Sequence, residues 1–242
     1  MVVRFQCVLV MLLLAAGCSF DGISAGDGDS DGDGDGDGDG DGNDPTDPTC
    51  TPSFTDDFAD GDRDDFWQAI ARNQEVESSN DLRETNGMLV VDPSEPDGGW
   101  QFTGYRSAVE QTLMSSLVRV EIPMSLTGYR GSVGLALAGG LWEMVAIEIE
   151  DDEVHLTYYN NSNGTTDPIP YDADAHRFLQ LREEGGTVFH EASADGLVWQ
   201  ELARNPTPAF FEETLIYIGV TADREEIGAA RFDNAQLHDC AP

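Results

Sequence analysis

Residues 176–202 read HRFLQLREEGGTVFHEASADGLVWQEL, and their pattern decides the fold class. Apolar and polar residues alternate on both sides of Gly185-Gly186, a dipeptide that accepts the positive φ angles of a two-residue hairpin turn. A second turn dipeptide, Asp195-Gly196, follows before Trp199. Period-two alternation sends successive side chains to opposite faces of a sheet. The segment therefore predicts strands over 177–183, 187–192 and 199–203, joined by tight turns.

The same chemistry recurs along the chain. LRETNGMLVV sets Asn86-Gly87 between two apolar runs, and MVAIEIEDDEVHLTYY turns at Asp151-Asp152. Further strands are predicted over 67–71, 81–85, 88–91, 101–108, 117–126, 132–138, 142–150, 154–159, 214–222 and 229–237. One short helical turn is predicted over 208–213. No window sustains a long apolar stripe of period 3.6, so the expected architecture is an all-β antiparallel sandwich or barrel. In SLVRVEIPMSL, Val118, Val120, Ile122 and Met124 share one face, with Arg119 and Glu121 opposite. In TLIYIGVTA, Ile216, Ile218 and Val220 point one way and Tyr217 and Thr221 the other. One sheet is thus expected to keep a partly polar outer face, the place for a concave binding surface.

The first residues, MVVRFQCVLVMLLLAAGCS, have the layout of an export signal: Arg4, a short apolar run from Val8 to Ala16, then small residues. That run is shorter than the ~20 residues of a membrane-spanning helix. Leu14-Ala15-Ala16-Gly17-Cys18 resembles the bacterial lipoprotein signal, which implies a lipid on Cys18; Ser19 in place of aspartate implies the outer membrane. The expected organisation is a signal peptide over 1–17, an Asp/Gly-rich disordered linker over 18–49, and one domain over 50–242. Within the linker, Asp33, Asp35, Asp37, Asp39, Asp41 and Asp44 have nominal calcium-loop spacing. No flanking helices preorganise that loop, so it is read as a self-repelling tether, and no cofactor is implied.

All twelve basic residues are arginines, against 47 acids, a formal net charge of −35. Such a surface repels nucleic acid and anionic headgroups, which leaves the lipid anchor as the expected link to a membrane. Cys50 and Cys240 stand at opposite ends of the domain and are expected to pair in an oxidising compartment.

Three segments carry a resemblance: FTDDFADG (54–61), the stretch at 176–202, and ARFDNAQLHDC (230–240). They are similar to the concanavalin A-like lectin/glucanase superfamily. The resemblance implies a jelly-roll sandwich of two curved antiparallel sheets whose first and last strands are adjacent. It does not fix an activity, because that fold hosts lectins, glucanases and adhesive modules alike.

Two sets of site residues follow. Glu148-Ile149-Glu150-Asp151-Asp152-Glu153 resembles the E-x-D-x-(x)-E stretch of family-16 glucanases, with Glu150 where that pattern has aspartate. It implies Glu148 with Asp152 or Glu153 as carboxyl groups of a glycoside hydrolase, although the motif is expected at a hairpin tip. For ligand binding, Trp142, Tyr158, Gln180, Arg182, His190 and Tyr217 offer aromatic platforms beside polar groups. Ser193-Ala194-Asp195-Gly196 with Trp199 resembles an Asp-box turn, a structural role. The four histidines show no metal-ligand spacing. The main expectation is a non-catalytic sandwich that recognises a carbohydrate or a cell-surface partner; the alternatives are a glycoside hydrolase and a purely structural surface protein.

Overall fold

A computed structural model of the protein describes residues 50–93, 100–125, 131–140, 143–160, 163–165, 168–223 and 228–241. The signal segment, Cys18, the tether with its nominal calcium ligands, and Trp142 lie outside the described residues.

Alternation produces two sheets, paired antiparallel throughout. The eight-stranded sheet runs β15 (Gln200–Pro206), β14 (Thr187–Ser193), β13 (Phe178–Glu184), β7 (Ser116–Met124), β17 (Ala230–Cys240), β5 (Leu89–Val91) and β4 (Leu82–Glu84). Its eighth member, β1 (Cys50–Asp56), also pairs with β17. The nine-stranded sheet runs β11 (Asn163–Thr165), β10 (Glu153–Asn160), β9 (Glu143–Glu150), β8 (Gly131–Gly140), β16 (Leu215–Ala222), β6 (Gln101–Ser107), β2 (Trp67–Ala71) and β3 (Gln74–Val76). There β12 (Ile169–Pro170) pairs with β10. One 3-10 turn, Ala209–Glu212, falls where a helical turn is predicted.

The apolar half of each alternation meets between the sheets. Val118, Val120, Leu179, Leu181 and Phe232 come from one side; Leu135, Leu137, Ile147, Ile216 and Ile218 come from the other, all buried. Each such side chain contributes about 1.5–3 kcal/mol when fully withdrawn from water. The two sheets form a jelly-roll sandwich, the architecture that the resemblance implies.

The turns follow their residues. Asn86-Gly87 and Gly185-Gly186 take positive φ, as does the non-glycine pair Asp151-Asp152 (51° and 64°). Asp195-Gly196 differs from the expected tight hairpin, because residues 194–199 form a longer loop tied by side chains. Ser193 Oγ donates to Asp195 Oδ1 (3.1 Å), which accepts the amides of Leu197 (2.9 Å) and Val198 (3.0 Å). These backbone donors hold the Asp195 carboxyl below the usual range.

The ends close on each other. β1 lies along β17 with Cys50 opposite Cys240, and the two are joined by a disulfide. This strand was absent from the sequence expectations: CTPSFTD carries Pro52, and the ladder slips between Pro52 and Phe54, so its alternation is broken.

Candidate functional site

The outer face of the nine-stranded sheet is hollowed into a groove of about 840 Å³. Its floor is built by one cross-strand row. Glu148 on β9 stands opposite Gly134 on β8, Gly134 opposite Gly219 on β16, and Gly219 opposite Gly104 on β6. The row continues through Ile70 on β2 to Glu75 on β3, and His155 on β10 flanks Glu148 at the other end. Three successive strands thus place glycine at the same level. A Cβ on Gly134 would come within 2.2 Å of the Ile147 carbonyl oxygen, and one on Gly104 within 2.2 Å of that of Ile218. The backbones press together here, so no side chain fits and the floor stays low. The Phe102 ring takes up the vacated space, lying against both Gly104 and Gly219. Tyr217 stands edge-on to it, with ring centroids 5.5 Å apart.

Strand alternation puts Glu148 and Glu150 on the groove face, while Ile147 and Ile149 enter the core. Ser132 donates to Glu148 Oε1 (3.0 Å) and Thr157 to Oε2 (3.3 Å). Burial pushes the Glu148 pKa up, the charge of Glu150 adds to this, and the two hydroxyls and His155 offset part of it. Glu150 lies one step along β9, opposite Ser132, with Glu153 across from it on β10. Its pKa is also raised, first by burial; His155 opposes this, while Asp151, Asp223 and Glu153 reinforce it. On the far wall Arg106 donates to Gln68 Oε1 and to Glu75 Oε1 (2.7 Å).

The structure divides the predicted residues. Glu148 and Tyr217 line the groove. Glu148 lies within β9, not at a hairpin tip; Asp151 and Asp152 alone make the turn, and Glu153 opens β10. Gln180 and Arg182 sit on the outer face of the other sheet, because Leu179 and Leu181 take the inward positions of β13; both bond to Glu191. His190 points between the sheets, wholly buried, with Nε2 3.3 Å from the Thr157 carbonyl. Tyr158 hydrogen-bonds across to the Pro206 carbonyl (3.0 Å), away from the groove. Among the described residues no group of three or more His, Cys, Asp or Glu side chains is placed to hold a metal ion. Sequence reading missed Phe102, Arg106, Ser132, Glu75 and the role of Glu150. The available signal was a glycine in the interior of each of three strands, Gly104, Gly134 and Gly219.

This grooved sandwich has solved counterparts. Endo-glucanases share the fold. An endo-β-1,3-glucanase from Pyrococcus furiosus matches with a TM-score of 0.59 at 11% identity, over 79% of this chain and 95% of that one. The catalytic domain of a laminarinase from Thermotoga petrophila RKU-1 matches at 0.58 and 12%, over 80% and 99%. A non-specific endo-β-1,3(4)-glucanase of family GH16 matches at 0.58 and 11%, over 79% and 95%. No protein-family model matches the sequence, and no curated protein matches it. At such identities the likeness carries the fold alone. The three structures named here are all endo-glucanases, so the comparison goes against the expected non-catalytic recognition module and sides with the glycoside-hydrolase alternative.

Proposed function

We propose that the domain is a glycoside hydrolase that cleaves a β-linked glucan lying along the groove. The observation that carries this reading is Glu148 in the groove lining, with Glu150 one step along the same face of β9. Same-face neighbours on a strand have Cα atoms ~7 Å apart. That suits a close carboxyl pair of the double-displacement type, about 5–5.5 Å between carboxyl groups. Glu148, the more deeply enclosed, keeps its proton and donates it to the glycosidic oxygen as the bond to the anomeric carbon breaks. Glu150, beside His155, bonds as the carboxylate to the anomeric carbon; water then attacks that carbon, gives its proton back to Glu148 and frees Glu150. The open groove suits cleavage within a chain, and the shared fold with endo-glucanases supports a glucan substrate.

The test is release of reducing ends from β-1,3-glucan and mixed-linkage β-glucan. Glu148→Gln and Glu150→Gln should each lower the rate roughly 10²–10⁴-fold. Activity should also fall as pH rises through the elevated Glu148 pKa, where the acid loses its proton. A wild-type protein that releases no ends from either polymer, or a Glu148→Gln form that remains as active, would overturn the reading.

We also propose that the domain is displayed at the cell envelope on a lipid carried by Cys18, with residues 19–49 as spacer; the LAAGC segment supports this. A Cys18→Ala form should leave the membrane fraction.

A further inference from the structure

Arg106 is the one cation among the described residues lining the groove, which also include Glu75, Glu110 and Glu148. It is held in a particular way. Its guanidinium bonds to Gln68 and forms an ion pair with Glu75 at 2.7 Å, and its side chain is only 19% exposed while that of Glu75 is 59% exposed. The cation is drawn into the wall and the anion faces the space a ligand would fill. The wider acidity of the molecule acts weakly there, because salt screens charges beyond a Debye length of about 8–10 Å. Local groups in a groove with low-dielectric walls dominate over that distance.

Resting on the groove as the glycan site, we propose that Glu75 sets its charge selectivity: by covering Arg106 it admits uncharged glycan and turns away chains bearing carboxylates or sulfates. Removing the Glu75 charge would expose a guanidinium whose planar donor fork matches a carboxylate. The pair is therefore a specificity determinant, with Glu75 the excluding element and Arg106 the attraction it conceals.

The experiment uses two polymers with one backbone, a neutral β-1,3-glucan and the same glucan oxidised at C6 to the carboxylate. Affinity electrophoresis or calorimetry gives the ratio of their affinities, for wild type and for Glu75→Gln. Wild type should favour the neutral polymer by about tenfold or more at low salt, with the preference shrinking in ~1 M salt, where the Debye length is about 3 Å. Glu75→Gln should reduce the preference about tenfold, and adding Arg106→Gln to it should remove the gain in affinity for the oxidised polymer. Thermal melts of each variant establish that it is folded. Equal or tighter wild-type binding of the oxidised polymer would overturn the proposal. So would a ratio unmoved by Glu75→Gln, or binding of neither polymer. Binding of the neutral glucan without release of reducing ends counts against the hydrolase reading alone.

Discussion

At His190 the imidazole is cut off from water, and burial lowers its pKa to about 4, with the Thr157 carbonyl and the Glu191 charge opposing only part of the effect. An unfolded histidine takes up its proton near pH 6.5. Between pH 6.5 and about 4 the unfolded chain thus binds more protons than the folded one, so stability is whole above that window and drains away as pH falls through it. The total is about 3 kcal/mol. His190→Leu should flatten this acid limb when melting temperature is followed from pH 7 to pH 4.5; an unchanged slope would remove the explanation. The strand sequence TVFHEAS left this position ambiguous, because Val188 and Phe189 offer rival apolar faces. Packing settles it in favour of Val188, His190 and Ala192. Gln180 was more legible, since Leu179 and Leu181 oblige it to point outward. What no alternation discloses is which of the two sheets has the groove, so Gln180 and Arg182 were grouped with Tyr217 although they occupy the opposite face of the molecule.

Strands were readable wherever one face is purely apolar, as in β16 and β7; β1 was missed because Pro52 interrupts its alternation, and β3 because Gln74-Glu75-Val76 offers a single apolar residue. Register was beyond reach for a different reason. Gly104, Gly134 and Gly219 are separated by as many as 115 residues in the chain, and only pairing through β8, β16 and β6 brings them to one level. The row makes a sharp prediction. A Cβ on Gly219 would lie 2.5 Å from the Thr103 carbonyl oxygen and 2.8 Å from the Gly104 Cα, both backbone atoms. Gly219→Ala should therefore cost at least ~2 kcal/mol in chemical denaturation. On Gly140 the nearest atom is the carboxylate end of Glu143, at 3.1 Å, which can swing aside. Gly140→Ala should stay within about 1 kcal/mol. Equal effects of the two substitutions would mean that the floor is not held by close backbone contact.

Over the whole molecule the Cys50–Cys240 bridge encloses nearly all of the sandwich, its cysteines standing 190 positions apart. In the chain-entropy account a loop of that size is worth at most roughly 5 kcal/mol. Reduction should lower the melting temperature and let β1 open first, since among the described residues it pairs only with β17. Hydrogen exchange would report this as loss of protection over residues 51–56 while β7 and β13 keep theirs; protection unchanged over 51–56 would show that the ladder alone holds the strand.

The same bridge has a mechanical meaning. Any pull arriving along the chain ahead of Cys50 passes through a covalent bond into the final strand before it can reach the β1 ladder. Peeling of β1 from that end, the easiest failure for an edge strand, is thereby blocked. The load goes instead to β17, which is clamped between β1 and β7 and anchored by the buried Phe232 and Leu237. A domain held at its leading end while a polymer tugs at its opposite sheet would behave as a shackle with a closed pin, yielding only by shear through its longest strand.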